Sequence, residues 1–263
     1  MEVVVNRDSN SHYLSQEKIA CKMCALANLC LPKGISDDEL EQLNSVIQQR
    51  EPKKRGSHWF HSGEKFRSIY AVRSGCIKTY RISDSGEEQI SGFYLPGDII
   101  GLDAIESGYY SCSAKVLQTS SVCEIPFTKL EQLCEETPHL YRRFINILSR
   151  EILNEQWLIT ILGRTTAESR VAALLCNISE RFAQRGYSAF SFILGMPRSD
   201  IGNYLGLAVE TVSRVFSRFH NDQLIDAKGK QIRIQDLDRL RQVAGLHRAL
   251  AEDNNKIAAA HYG

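Results

Sequence analysis

The sequence has no apolar run that approaches the roughly 20 residues needed to cross a bilayer. Its first residues, MEVVVNRDSNSHYLSQE, also lack the basic segment followed by an apolar segment that marks a secretory signal. We therefore expect a cytoplasmic protein that does not enter a membrane.

The chain also has almost no net charge, because 32 Lys and Arg oppose 31 Asp and Glu. The distribution is uneven, since residues 164–233 hold ten basic and six acidic side chains. A local excess of positive charge favours contact with a phosphate backbone. The C-terminal third is therefore the part predicted to face nucleic acid.

The eight cysteines are unusual for a chain expected in a reducing compartment, where disulfide frameworks are rare. Cys21, Cys24 and Cys30 lie within ten residues, and a CxxC pair lets two sulfurs converge on one metal site. The spacing fits an iron–sulfur cluster, a zinc hook or three free thiols. A fourth thiolate would come from one of the remaining cysteines, which are Cys76, Cys112, Cys123, Cys134 and Cys176.

The middle of the chain is predicted to contain a short helix followed by a series of strands. Ser36 to Gln49 begins with a capping residue and an acidic turn, which predicts a short helix. Residues 52–126 then form short runs rich in β-branched and aromatic residues, punctuated by glycines. The spacing of these runs predicts a closed jelly-roll, with Cys76 and Cys134 as small core residues.

Thr137 to Gly163 reads as one long helix, with Thr137 as its cap and Pro138 in its first turn. A second side of this helix, which includes Phe144, Leu153 and Ile161, is expected to pack on its own protomer. Steps of four and three residues define a seam suited to a parallel partner helix, and they predict a homodimer. The seam residues are Tyr141, Ile145, Leu148, Ile152, Glu155, Ile159 and Leu162.

Thr165 to Glu168 forms a capping-box sequence, which predicts a new helix and a hinge before it. Pro197 to Phe219 then has the order helix, tight turn at Gly206, helix, which is typical of a DNA-reading module. On the second helix Val212, Val215, Phe216 and Phe219 share one face. Glu210, Ser213 and Arg214 lie on the opposite face, where they could enter a major groove together.

Leu224 to Ile234 reads as a hairpin that turns at Gly229, a wing whose lysines could meet phosphates. One more helix and a loose end are expected after it. The residues predicted to contact double-stranded DNA are Arg198, Glu210, Thr211, Ser213, Arg214, Arg218, Lys228 and Lys230.

This order of cysteine hook, glycine-punctuated barrel, long helix and winged helix-turn-helix resembles the cyclic-AMP receptor superfamily of bacterial transcription regulators. Within it the chain is similar to the oxygen-sensing fumarate and nitrate reduction regulators. The motifs that carry the resemblance are the hook, SVCEIPF and IGNYLGLAVETVSRVFSRF.

The resemblance implies one oxygen-labile four-iron four-sulfur cluster per protomer, held by Cys21, Cys24, Cys30 and, through SVCEIPF, Cys123. It implies reading of TTGAT-like half-sites in an inverted repeat by Glu210, Ser213 and Arg214. It also implies contact with RNA polymerase through loops of the barrel. The turn 83–88 resembles one of these loops. Cys112 is the rival for the fourth ligand.

The chain departs from the cyclic-nucleotide branch of that superfamily. Where that branch has an acidic residue after glycine and an arginine for the cyclic phosphate, this chain has Gly101-Leu102 and Cys112-Ser113. A buried phosphate without its arginine would lack charge-assisted hydrogen bonds. Cyclic nucleotide binding is therefore not expected.

The predicted fold is α+β, with a tail and hook (1–35), a jelly-roll sensor domain (36–136), a dimerisation helix (137–163) and a winged helix-turn-helix domain (164–263). The predicted function is an oxygen-responsive transcription regulator rather than an enzyme, because no nucleophile–base pair or glycine-rich phosphate loop is evident. One alternative keeps the DNA module but makes the hook a structural zinc site. A second, of another class, is an iron–sulfur electron carrier.

Overall fold

The computed structural model of the protein describes residues 20–163 and 166–245. Its helices are α1 (Asp37–Val46), α2 (Phe127–Glu136), α3 (Pro138–Leu162), α4 (Ala167–Gln184), α5 (Arg198–Leu205), α6 (Val209–Asn221) and α7 (Leu237–Val243). Its strands are β1 (Gln48–Gln49), β2 (His58–Phe60), β3 (Ser68–Ile82), β4 (Glu88–Tyr94), β5 (Ile99–Ile100), β6 (Ser113–Pro126), β7 (Ser191–Ile193), β8 (Ile225–Lys228) and β9 (Gln231–Ile234).

The two longest strands, β3 and β6, form the spine of the N-terminal barrel. They pair antiparallel from Ser68 opposite Pro126 to Tyr80 opposite Ser113. The sheet runs in the order β1-β6-β3-β4, with β2 paired to β6 and β5 paired to β3. The predicted jelly-roll is confirmed, although β6 begins well before the run SSVCEIPF because its buried alternation continues back through Ala114 and Val116.

Aromatic rings fill one end of the barrel. The Phe60 and Tyr110 rings stack with centroids 3.9 Å apart, and Phe66 meets Tyr110 edge-on at 5.6 Å. The Tyr110 hydroxyl donates to the Ser68 carbonyl at 2.6 Å. Gly101 has a left-handed φ of 87°, and a Cβ there would lie 3.1 Å from the Tyr110 ring. A side chain at this position would therefore be strained and crowded.

α1 begins as predicted, with a reciprocal capping box between Ser36 and Glu39. α3 has Pro138 in its first turn, but the expected cap by Thr137 is wrong, because that side chain makes no capping hydrogen bond and its backbone (φ −127°, ψ 89°) is not in the usual cap geometry.

Leu153 was expected to face the protomer and is instead 60% exposed. At about 100° per residue it lies on the side opposite the buried Phe144.

The C-terminal unit has the predicted winged helix-turn-helix. Gly206 ends α5 in the left-handed conformation (φ 63°), and α6 follows after a short turn. Strands β8 and β9 pair as the wing, with the turn at Gly229 (φ 60°). The cap of α4 is Thr166, whose side chain accepts from the Ser169 amide, and not the predicted Thr165. Thr165 and the predicted hinge lie outside the described residues, as does the loose end.

The barrel and the C-terminal unit share one apolar core. Phe93 of β4 and Tyr204 of α5 have ring centroids 4.9 Å apart. A Cβ at Gly195 would lie only 2.6 Å from the Cys76 Cβ, so the chain passes too close to the barrel for any larger residue. None of the described helices is both long and apolar enough to cross a membrane.

Candidate cluster site and DNA-reading face

The cysteine segment is a series of tight turns. Cys21 opens a turn of 3-10 helix, and the Cys24 amide donates to the Cys21 carbonyl at 3.1 Å. The Cys30 amide donates to the Leu26 carbonyl at 3.0 Å. The Cys21 amide is fixed from outside by the Asn44 side chain of α1, at 2.9 Å. These bonds fold the segment back so that its three thiols face one region.

Cys123 comes to the same region from β6, where it pairs with Gln49 of β1 and Ala71 of β3. Cys30 and Cys123 are both half-buried and pack against one apolar core. The fully buried members of that core are Leu31, Leu43, Ile69, Ile125 and Leu140.

The four thiols act on one another electrostatically. Burial, followed by the neighbouring Cys123 and Cys24 thiols, raises the pKa of Cys21 to about 11. Burial is also the largest cause that raises the pKa of Cys30 to about 12, with Cys123, Cys21 and Cys24 adding to it against a hydrogen bond from the Leu31 amide. The pKa of Cys123 is raised by burial and by Cys24, and lowered by Arg73. Among the described residues, no three His, Cys, Asp or Glu side chains converge closely enough to hold a single metal ion.

Cys112 lies elsewhere, in the barrel. Its Sγ donates to Asp103 Oδ2 at 3.5 Å, and burial together with this carboxylate raises its pKa. Of the remaining cysteines, Cys76 and Cys176 are buried, whereas Cys134 of α2 is half-buried against the core. The structure therefore brings Cys123, and not Cys112, beside the cysteine segment.

Two arginines of α3 bind the cysteine segment, a feature that no pattern in the sequence indicates. Arg143 donates from Nε to the Cys30 carbonyl at 2.9 Å and from Nη2 to the Leu29 carbonyl at 2.8 Å. Arg150, two helical turns later, donates to the Leu29 carbonyl at 3.2 Å. Arg143 is only 8% exposed. The segment with three cysteines is thus fixed directly to the long helix.

The predicted seam of α3 lies on the surface of the single chain. Ile159 is 70% exposed, Glu155 is exposed and Leu148 is half-buried. The other apolar seam residues are exposed as well, namely Tyr141, Ile145, Ile152 and Leu162. An apolar stripe of this length on a helix is the kind of surface that a partner chain covers.

The reading face of α6 is also exposed. Glu210, Ser213 and Arg214 lie on the solvent side, while Thr211 is half-buried. The opposite face packs into the core through Val212, Val215, Phe216 and Phe219, which are all buried. The sidedness predicted from the sequence is present, so the three predicted base-reading side chains can enter a groove together.

The other predicted DNA contacts are of two kinds. Lys228 and Lys230 flank the exposed wing turn. In contrast, the Arg198 guanidinium lies 3.4 Å from the Phe216 ring centroid, where burial lowers its pKa to about 10. Arg218 pairs with Glu168 at 3.0 Å and Asp222 at 3.9 Å. Both arginines therefore have partners within the protein, which the charge pattern of the sequence did not reveal.

Comparison with known proteins decides the family. A model of the Crp-like helix-turn-helix domain matches residues 169–243, and a model of the cyclic nucleotide-binding domain matches residues 50–137. The transcriptional activator protein Anr of Pseudomonas aeruginosa is 47% identical over 225 residues, which cover 86% of this chain and 92% of that protein. The fumarate and nitrate reduction regulatory protein of Escherichia coli is 45% identical over 233 residues, covering 89% and 93%. The chain belongs to the CRP/FNR family.

The solved structure of FixK2 from Bradyrhizobium japonicum is similar with a TM-score of 0.68 at 30% identity, and it covers 75% of this chain and 97% of that one. The chain is thus a DNA-binding transcription regulator of the CRP/FNR family and not an enzyme, which confirms the DNA-binding part of the predicted function and the prediction that the chain is no enzyme.

We expect Arg143→Ala to loosen the cysteine segment of this regulator. The substitution removes the charged donor of the Cys30 carbonyl and leaves the Leu29 carbonyl with Arg150, so the metal-free protein should lose about 1 to 3 kcal/mol of stability. Alkylation of Cys30 in the metal-free protein, followed by mass spectrometry, should become faster. Arg142→Ala, an exposed neighbour, is the matched control. Equal alkylation rates in the two variants would show that the segment does not depend on Arg143.

We expect Arg214→Ala to weaken binding to a TTGAT inverted repeat by about 1 to 3 kcal/mol and to relax selectivity at one base pair. Lys230→Ala should weaken binding to all DNA sequences alike and reduce the salt dependence of binding, because a lysine of the wing would contact phosphates. Titrations against the repeat and its single-base variants measure both effects. Equal loss on every sequence in the Arg214 variant would mean that this side chain positions the protein and does not read bases.

Proposed function

We propose that this protein is an oxygen-responsive regulator that binds inverted-repeat DNA as a homodimer while it holds one four-iron four-sulfur cluster. Cys21, Cys24, Cys30 and Cys123 would be the ligands. The observation that supports the proposal is that β6 places Cys123 near enough to the cysteine segment, which is bound to α3, for the thiols to influence one another electrostatically.

The donor set suits the cluster. Four thiolates complete the coordination of a four-iron cluster, and thiols must lose their protons to bind. When bound, the cluster supplies an iron–sulfur core that oxygen can oxidise. The chain's own part is to hold the ligands: the turns of the segment orient three of them, β6 fixes the fourth, and Arg143 keeps the segment on the helix.

The names of the relatives support the finer proposal. One relative is a transcriptional activator and another is a regulator of fumarate and nitrate reduction. We infer that this chain likewise activates genes of anaerobic metabolism. Contact with RNA polymerase would use the β3–β4 turn, whose Asp84 and Glu87 are exposed. Transcription in vitro at matched DNA occupancy measures that contact.

The barrel would not bind a cyclic nucleotide, although it has the fold of the cyclic nucleotide-binding domain. Stacked rings of Phe60 and Tyr110 occupy the space beside Gly101. Cys112 faces Asp103, a carboxylate that would repel a phosphate. The nearby Arg81 guanidinium donates to the Ser111 hydroxyl, which in turn binds Asp103, so we do not expect it to supply the charge-assisted bonds that a buried phosphate needs.

The decisive measurement is iron and acid-labile sulfide analysis of anaerobically purified protein. We expect four irons and four sulfides per protomer, from the four-iron cluster that these ligands suit, and Cys123→Ser should lose the visible thiolate-to-iron absorbance. Cys112→Ser is the matched control and should keep it, since Cys112 faces Asp103.

Retention of a full cluster by Cys123→Ser with its loss from Cys112→Ser would contradict the ligand assignment. Zinc in place of iron would favour the structural zinc hook. A cluster-loaded protein that fails to bind any inverted repeat would favour an electron carrier, a class that leaves the helix-turn-helix unexplained.

The dimer seam contains a second test. Glu155 would face its own copy across a two-fold axis, and Arg150 of the same chain is turned away to the Leu29 carbonyl. After solvent screening, such repulsion is worth about 1 kcal/mol, so cluster-free Glu155→Ala should dimerise about fivefold more tightly. Sedimentation beside Glu135→Ala, which removes an exposed carboxylate outside α3, measures this. Equal monomer fractions in both variants would remove Glu155 from the seam.

A further inference from the structure

The outer edge of the barrel sheet is bound by the first helix of the DNA-reading module. β4 is the last strand of its sheet, so part of its backbone lacks a neighbouring strand. The Asn203 side chain of α5 fills that place: the Ile90 amide donates to Asn203 Oδ1 at 2.7 Å, and Asn203 Nδ2 donates to the Glu88 carbonyl at 2.5 Å. The side-chain amide of Asn203 thus accepts one hydrogen bond from the β4 backbone and donates another to it, as a neighbouring strand would.

A buried lysine forms the second anchor. Lys78 of β3 contacts Glu88 at 2.8 Å and Asp200 of α5 at 3.2 Å. Its side chain is 6% exposed, so the ammonium has little water to replace a lost partner. Removal of α5 from the barrel would leave this charge short of one carboxylate.

Asp98 forms the third anchor, with two arginines of α4. Arg181 and Arg185 reach its two carboxylate oxygens at 2.5 Å and 2.7 Å. They also donate to the Phe93 carbonyl at 2.9 Å and the Pro96 carbonyl at 2.6 Å. Burial raises the pKa of Asp98, but the two guanidiniums outweigh it and the pKa lies below its usual range. The carboxylate is therefore charged and doubly paired at neutral pH.

Three separate anchors prevent the DNA-reading module from turning on the barrel without the loss of hydrogen bonds. α6 moves with this module, because its buried face packs into the same core as α5. The reading side chains point away from the contact and stay exposed. The contact therefore orients the reading helix and does not mask it.

We propose that this contact sets the distance between the two half-sites that the protein accepts, so that Lys78, Asp98 and Asn203 are positioning residues for DNA recognition. The inference rests on the proposed dimer. One base pair added between half-sites moves the second by about 3.4 Å along the axis and by about 35° around it. A module fixed to its barrel cannot follow that displacement, whereas a released module can.

The experiment uses cluster-loaded dimers and duplexes with TTGAT inverted repeats whose spacers differ by one base pair, together with a duplex that holds one half-site. The test variant is Lys78→Ala with Asn203→Ala. Lys115→Ala is the matched control, because Lys115 also pairs with Glu88, at 3.8 Å, and makes no ion pair with a described residue of α5. Arg181→Ala with Arg185→Ala is a second, independent variant, which removes both arginine partners of Asp98 and therefore the whole third anchor.

We expect the unaltered protein and the Lys115 variant to lose at least about tenfold in affinity when the spacer departs by one base pair from the preferred length. The released variants should keep their affinity for the single half-site. Their affinity for the inverted repeat should fall by less than about threefold when the spacer departs by one base pair from the preferred length.

Released variants whose spacer profile matches that of the unaltered protein would overturn the inference. If the Lys78 and Asn203 variant also loses affinity for the half-site, its reading module is damaged, and the Arg181 and Arg185 variant decides by the same criterion. If the unaltered protein binds the inverted repeat no better than one half-site, the proposed dimer itself is refuted. This result can be told apart from tight binding to the repeat whose affinity does not change with spacer length.

Discussion

A charged side chain that is almost removed from water requires fixed acceptors, and Arg143 finds them in the backbone of the cysteine segment. Its two hydrogen bonds, at 2.9 Å and 2.8 Å, go to carbonyls beside and within the cysteine motif. If that segment changed shape, the guanidinium would lose acceptors in a buried place, which costs more than the bonds contribute in water. The cysteine segment therefore cannot move relative to α3 without breaking the hydrogen bonds of Arg143.

α3 contacts the other functional parts of the chain at successive points along its length. Its inner side holds the cysteine segment, Glu151 accepts from the β4 hydroxyl of Tyr94 at 2.9 Å, and Ile161 enters the core shared with the DNA-reading module. Its outer side carries the exposed seam. In the proposed regulator, a change at the thiols would therefore act through the contacts of α3 on the exposed seam and on the core shared with the DNA-reading module.

The features predicted well from the sequence are those that depend on neighbours a few residues away. Gly206 supplies the left-handed turn, and the alternate faces of α6 follow from helical periodicity. The errors at Thr137, Thr165 and Leu153 concern helix ends and the orientation of one side chain, which depend on packing. Charge counting failed for the same reason, since Arg181 and Arg185 were counted with the basic face but bind Asp98 of the barrel.

The sequence by itself determined the jelly-roll, the long helix and the winged helix-turn-helix, because glycines, caps and apolar spacing act over short distances along the chain. The motif SVCEIPF already favoured Cys123 over Cys112, and the tertiary structure supplies the physical reason, since the β3–β6 register places Cys123 near the cysteine segment while Cys112 faces Asp103. Only the tertiary structure decided the bonds of Arg143 to Cys30 and of Asn203 to β4. Those partners are more than a hundred residues apart, and no local preference specifies a contact that is made by the packing of whole elements.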